Sequence, residues 1–318
     1  MLGIIILNYK SWNLVKDCID SIYGTYKKEN FHIYIVDGGS RNESLEKLNK
    51  LYGHDKNCTI IDAKVNKGFA YGNNLGAKRA IKDGCSKLLI TNSDIVFLDG
   101  AIDSLCTVIN NSDDNKYQFS ETLDTSLFLV YPVVYNSDNS LQLNECFVGR
   151  RNWFYDIFLN NNVLKKLACK KIFSKYFKKI ENIKADYIET NMFFGCCFLV
   201  DSKKFEALGM LDEETFLYYE EHILSTKALN SGYKMNLVLN AKVKHLQGAS
   251  SDISKSKWFE YVSKVYYFRK YKGYGKLFIK FDFIFNEIYS FLKCRSIRDF
   301  KENCKNISEA KVKIKKYL

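Results

Sequence analysis

The stretch MLGIIILNY, Met1 to Tyr9, sets how the rest of the chain is read. Gly3–Leu7 is apolar at consecutive positions, not alternate ones, which is the pattern of a strand buried on both faces. Such a strand belongs in a parallel sheet with helices on either side. The next residues fit: Trp12, Val15, Ile19 and Ile22 recur at helical spacing. Ile33–Val36 then reads as a second strand and Arg41–Tyr52 as a helix. Thr59–Ala63 reads as a third strand, Phe69–Lys82 as a long helix and Lys87–Thr91 as a fourth strand. This alternation predicts an α/β fold with a Rossmann-like, mainly parallel sheet flanked by helices.

The 318 residues are 47% hydrophobic, enough for one large domain or a domain with an appendage. The net charge of +12 favours an anionic partner: a nucleotide, a nucleic acid or an acidic membrane surface. The ten cysteines include no CxxC, and their one cluster is Cys196-Cys197. They read as reduced thiols of a cytosolic protein. MLGIIILNY has no basic segment before it and reads as a strand, not a signal peptide. The longest apolar run, Met192 to Val200, falls far short of the ~20 residues of a membrane span. Membrane contact is therefore expected to be peripheral.

Beyond residue 100 the pattern changes. Phe128–Val134 and Phe193–Val200 are strand-like, and a basic, aromatic insert at 146–185 between them reads as one or two helices. Met235–Val243 is strand-like. Residues 257–318 read as a helical extension crowded with Tyr, Phe and Lys.

In an open parallel sheet, ligands bind beyond the carboxyl ends of the strands. Each of the first four strands ends in or leads to a polar cluster: Asn8-Tyr9, Asp37-Gly38-Gly39-Ser40, the segment Asn66 to Asn74, and Asn92-Ser93-Asp94. Turn chemistry explains any one of these. Four in register point to a ligand. No GxGxxG follows strand one and no GxxxxGK[ST] occurs, which excludes the dinucleotide fingerprint and the P-loop. Asp37 suits a base N–H or ribose hydroxyl, and Tyr9 suits stacking on a base. Gly68 suits close approach of a ligand at a helix N-terminus. Asp94 is a hard oxygen ligand for Mg²⁺ or Mn²⁺ bridging a diphosphate. Together they describe a nucleoside-diphosphate site with a metal.

One further stretch, FLYYEEHILSTKALNSG (Phe216–Gly232), sets Glu220 and Glu221 where an aromatic, strand-like run gives way to a helix. Adjacent helical residues point about 100° apart, so the two acids cannot share one task. One of them could be a base, or both could be first-turn acids that suit the helix dipole.

Taken in order, ILNY, IVDGGSRNES, NKGFAYGNNLG, LLITNSD, GCCFLVDSKKFEALGMLDEETFLYYEEHILSTKA and VKHLQGASS resemble the family-2 glycosyltransferases of the GT-A fold. The likeness covers about residues 1–250 and is strongest to rhamnosyltransferase-like bacterial members that build surface polysaccharides. It implies that 1–100 is the nucleotide-sugar-binding half of the domain and 101–256 the acceptor-binding half. It implies donor-nucleotide contacts from Asn8, Tyr9, Asp37, Asn66, Gly68 and Asn73, and a metal held by Asp94, with His245 facing the metal or the diphosphate. The first Asp of the family's D-x-D-type motif is Asn92 here. Glu221 takes the place of the catalytic base, with Glu where the family usually has Asp. Gly195 and Cys196 would form a strand beside the sugar. Asp212, Glu213 and Glu220 would shape the acceptor site, with structural loop capping the alternative for Asp212 and Glu213.

The implied reaction is inverting transfer from dTDP-rhamnose or a UDP-hexose to a glycan or lipid-linked acceptor, in capsule, exopolysaccharide or O-antigen synthesis, assisted by Mg²⁺ or Mn²⁺. A catalytically degenerate nucleotide- or glycan-binding protein of the same fold is the alternative. His222 reads as a surface helix histidine. Nucleic acid is not expected, because no recognition module accompanies the basic tail. In that tail Trp258, Tyr261, Val265 and Phe268 recur at helical spacing. Such a helix fits peripheral docking on the cytoplasmic membrane surface, or packing onto the catalytic domain or onto a second subunit of a homodimer.

Overall fold

The computed structural model describes residues 1–111, 126–142, 185–246, 253–292 and 296–317. The insert expected at 146–185 lies, but for its last residue, outside them. The first half follows the sequence closely. Strands β1 (Leu2–Asn8), β2 (Phe31–Asp37), β3 (Cys58–Asp62) and β4 (Lys87–Asn92) alternate with helices α1 (Trp12–Thr25), α2 (Ser44–Tyr52) and α3 (Phe69–Lys82). Ile4, Ile5 and Ile6 of β1 are fully buried, as a strand covered on both faces requires. A short β5 (Ile95–Phe97) and α4 (Ala101–Asn111) follow, then β6 (Leu127–Asn136), β7 (Tyr187–Thr190) and β8 (Cys197–Asp201). Helices α5 (Ser202–Ala207) and α6 (Glu220–Asn230) and the long β9 (Lys234–His245) complete the sheet-bearing region.

The described strands form one sheet in the order β3-β2-β1-β4-β8-β6-β9-β5, with β7 paired to β9. Four strand pairs are parallel (β1–β2, β1–β4, β2–β3, β6–β9) and four antiparallel (β4–β8, β5–β9, β6–β8, β7–β9). The sheet is thus mixed, and not mainly parallel: β8 enters beside β4 in the reverse direction and switches its sense. The strand expected over Phe193–Val200 begins only at Cys197. Gly195-Cys196 is a turn, held to β4 by the bond from the Asn92 amide to the Cys196 carbonyl, 2.8 Å. The aromatic run Phe216–Tyr219 is irregular chain, not strand.

The C-terminal helices α7 (Ile253–Lys270), α8 (Lys276–Leu292) and α9 (Ile297–Ile314) build a second apolar core. The stripe Trp258, Tyr261, Val265 and Phe268 of α7 is buried in it, with Ile279, Phe283, Ile307 and Ile314, with Tyr219 and with Ile223 of α6. Of the placements the sequence left open for this stripe, the structure shows packing within the C-terminal unit and against the sheet-bearing region. Asp212 fastens the joint. Its Oδ2 accepts hydrogen bonds from the Tyr266 and Tyr271 hydroxyls, and Lys270 lies 3.3 Å away. Burial opposes ionisation of Asp212, but bonds from Tyr271, the Glu214 amide and Tyr266 outweigh it and hold the carboxyl below its ordinary range.

Candidate active site

The site lies where β1, β2 and β4 end. At the β1–β2 end, Asp37 is buried and fully engaged. Its Oδ1 accepts from the Gly39 and Ser40 amides, and its Oδ2 from Asn8 Nδ2 at 2.7 Å and Ser40 Oγ at 2.7 Å. Asn8, itself buried, therefore positions Asp37 and the loop after β2 and does not reach outward. Tyr9 is half-buried at the rim, with the Lys10 ammonium 5.1 Å from its ring centroid.

The segment before α3 departs from expectation. Gly68 has φ +102°, and a Cβ there would stand 2.2 Å from the Phe216 carbonyl oxygen. That same oxygen accepts from the Phe69 amide at 2.8 Å. The close approach that demands glycine is to the Phe216 backbone and not to a ligand, and a carbonyl takes the donor at the helix start. Asn66 caps this turn by accepting from the Gly68 amide at 2.9 Å. Asn73 is buried and donates to the Phe69 carbonyl. The neighbouring Asn74, which lay in the Asn66–Asn74 cluster with no role assigned to it, clamps the distant loop: its side chain bonds the Leu211 amide and carbonyl and Glu213 Oε1. Glu213 also lies 3.5 Å from Lys78. Asp212 and Glu213 thus both make scaffold contacts.

Asp94 and His245 are brought together as the sequence predicted. Ile95 of β5 pairs with His245 of β9, and this register sets His245 Nε2 3.3 Å from Asp94 Oδ2. The other ring nitrogen, Nδ1, lies 3.0 Å from Gln142 Oε1. An N–H donated there to the amide oxygen leaves Nε2 with a lone pair toward Asp94. Gln142 was not legible as a site residue. Nearby, Asn92 Oδ1 is buried with no hydrogen-bond partner among the described residues. A hard divalent cation fits this donor set: one carboxylate, one imidazole and an orphaned buried oxygen close by. Among the described residues no group of three His, Cys, Asp or Glu converges, so such a cation would take its other ligands from diphosphate and water.

Glu220 and Glu221 occupy the first turn of α6. Tyr218 and Tyr219 before them both have φ +71°, a left-handed conformation that costs bulky residues of order 1–3 kcal/mol each. The two acids then part. Glu220 is buried, accepts from the Thr215 hydroxyl at 3.2 Å, and is pushed up to about 8 by burial and by the charge of Glu221. A protonated Glu220 places no second negative charge beside Glu221. Glu221 stays partly accessible and faces Gly195, where an added Cβ would stand 3.3 Å from its Oε2. Glycine at 195 is what leaves room for this carboxylate beside the turn. His222 is not a surface histidine: its Nδ1 lies 3.1 Å from Glu221 Oε1, and its ring stacks on Tyr219 at 4.4 Å. Its position right after the acid pair was visible in sequence; its pairing was not. Burial pushes the Cys196 thiol well up, and the carboxylates of Asp94 and Glu221 add to this, which disfavours the nucleophilic thiolate. Glu221 thus meets this turn at Gly195, and Asn92, two residues before Asp94, is bonded to it at Cys196.

Residues 3–120 match the family model described as Glycosyl transferase family 2. The hexosyltransferase Agl10 of low-salt glycan biosynthesis in Haloferax volcanii is 26% identical over 222 residues, which are 69% of this chain and 59% of that protein. The bifunctional glycosyltransferase pgtA of Dictyostelium discoideum is 31% identical over 202 residues, 63% of this chain and 24% of that protein. The chain thus spans less than two thirds of either relative. In fold it is similar to GalNAc-T7, solved with UDP, GalNAc and Mn²⁺ (TM-score 0.56, 15% identity, 97% of this chain and 57% of that one). It is also similar to the mannosyltransferase PcManGT from Pyrobaculum calidifontis, solved with GDP-Man and Mn²⁺ (TM-score 0.53, 14% identity, 98% and 74%). With the mixed sheet and its strand-end site, these likenesses show a GT-A fold whose residues 3–120 are similar to Glycosyl transferase family 2.

Proposed function

We propose that this chain is an inverting glycosyltransferase of glycan biosynthesis. It takes a sugar from a nucleoside-diphosphate donor and passes it to a hydroxyl of a glycan or lipid-linked acceptor. The observation that carries this reading is that Glu221 faces Gly195, while the adjacent Cys196 carbonyl is bonded to the amide of Asn92, two residues before the Asp94 that pairs with His245. Inverting transfer needs a base for the acceptor hydroxyl on one side and charge absorption for the leaving diphosphate on the other. Glu221 is the base, oriented by His222. Asp94 and His245 would hold Mg²⁺ or Mn²⁺, which supplies Lewis-acid stabilisation of the diphosphate when bound. Asn8, Asp37 and Ser40 shape the nucleotide end, and Tyr9 at its rim offers the ring for a base. UDP and GDP sugars bound to proteins of similar fold support a nucleotide-sugar donor. A dTDP-rhamnose or UDP-hexose donor, and a surface polysaccharide as product, follow from the sequence resemblance.

The test is release of nucleoside diphosphate across a panel of donor sugars, with Mn²⁺, with Mg²⁺ and with chelator. Glu221→Gln keeps the side chain's shape and loses its basicity. It is expected to lower acceptor-dependent turnover by about 10²–10⁴-fold while donor affinity holds. Wild-type turnover in Glu221→Gln would remove the base from this glutamate, and loss in Glu220→Gln alone would move the role to its neighbour.

A further inference from the structure

With the aromatic stripe of α7 buried, a different face of the C-terminal unit is left in the open. On α8, Leu277, Phe281, Ile284, Ile288 and Leu292 are all exposed, Leu277 at 82%, Phe281 at 70% and Leu292 at 79%. At 100° per residue these five side chains fall within an arc of about 80°, a continuous apolar stripe along one side of the helix. Ile279 and Phe283 on the opposite side are buried in the core, so the exposure is not fraying. The stripe continues into exposed Ile297 and Phe300 at the start of α9, where the Phe300 ring lies 5.1 Å from that of Phe291. Contiguous apolar surface of this kind marks an interaction site.

The charge around the stripe names the partner. Residues 257–318 contain sixteen Lys and Arg against six Asp and Glu, so they carry +10 of the chain's +12. Lys276 and Lys280 are exposed along one edge of the stripe. At its far end, Arg298, Lys301 and Lys305 line an open groove with Ile297 and Glu302. No described helix is long and apolar enough to cross a membrane. We propose that the α8 stripe and the first turns of α9 form a docking surface for an anionic lipid bilayer. The apolar side chains enter the headgroup–acyl boundary, and the flanking cations meet lipid phosphates. A second copy of the chain suits this face less well, because two-fold pairing would set one cationic rim against another. The proposal stands apart from the transfer reading, since vesicle binding requires no turnover.

The experiment is co-sedimentation of the 318-residue chain with phosphatidylglycerol–phosphatidylcholine vesicles and with pure phosphatidylcholine vesicles. The companion variants are Phe281→Asp/Ile288→Asp and Lys276→Glu/Lys280→Glu. All four positions are exposed, so both variants should keep the wild-type circular dichroism spectrum and thermal midpoint. Binding to the anionic vesicles is expected at low salt, at least tenfold above the neutral ones. It should fall with rising salt and fall at least fivefold in either variant. The proposal is overturned if the intact chain stays in the supernatant with anionic vesicles at low salt, or if both variants bind like wild type. It is equally overturned if sedimentation velocity shows a dimer that Phe281→Asp/Ile288→Asp converts to monomer, for the face is then covered by a second copy.

Discussion

Replacing Glu220 by Gln should change how stability depends on pH, and the structure gives the size and sign. Glu220 is buried under Thr215 and beside Glu221, and its carboxyl is held near 8 where the ordinary value is 4.5. At about 1.36 kcal/mol per pKa unit, that gap corresponds to on the order of 5 kcal/mol at most. Local relaxation and water entry reduce such penalties, so about 2–4 kcal/mol is the expected effect. Between pH 4.5 and 8 the unfolded chain gives up this proton while the folded chain keeps it. Folding therefore weakens as pH rises through that window and levels off above it. Gln keeps an oxygen for the Thr215 hydroxyl and has no proton to lose. Urea unfolding of both proteins at pH 5 and pH 8.5 reads the difference. The variant should gain about 2–4 kcal/mol relative to wild type between the two pH values, with all other titrations cancelling. Glu221→Gln, by removing the neighbouring charge, should draw the upper edge of the window below 8. Parallel stability–pH curves for wild type and Glu220→Gln would refute the reasoning, since they would mean that Glu220 is solvated or already charged at neutral pH.

Asp94→Ala should remove the enhancement by Mn²⁺ of nucleoside-diphosphate binding, measured by calorimetry with and without the metal; equal enhancement in both proteins would take Asp94 out of the metal site. Gly68→Ala should destabilise by about 3 kcal/mol or more, because the φ of +102° is a glycine conformation and the new Cβ meets the Phe216 oxygen; a loss below about 1 kcal/mol in urea unfolding would show that the Phe216 loop yields easily. Asn74→Ala should cost about 2–4 kcal/mol, because it orphans the buried Leu211 amide and carbonyl; an unchanged thermal midpoint would mean that the loop is held by other contacts.

Local pattern carried the first half of the fold. β1, β2 and β4 are apolar in unbroken runs, and α3 spans Phe69–Lys82 as its periodicity predicts, because burial on two faces or on one helical stripe leaves a period in the chain itself. That Asp94 and His245 share a site was legible only through the family resemblance. Whatever rests on partners far apart in sequence was not. Asn74 reaches Leu211 across 137 positions, and nothing near it marks it as a clamp. β5 is only three residues long and forms because β9 offers it an edge. Gly68 looked like a ligand-facing glycine until the Phe216 carbonyl was found against it. The α7 stripe was legible as an apolar helix face, but sequence alone left it open to lipid, to the catalytic domain or to a second subunit. Periodicity tells that a helix has an apolar side. Which side is covered depends on the surfaces that pack against it: α6, α8 and α9 close over Trp258, Tyr261 and Val265 and leave Leu277, Phe281 and Ile288 uncovered. The adjacent acids show the same limit. A helix start suits both, and only the tertiary fold buries Glu220 under Thr215 and turns Glu221 toward Gly195, because desolvation and charge are properties of the surroundings and not of the residue.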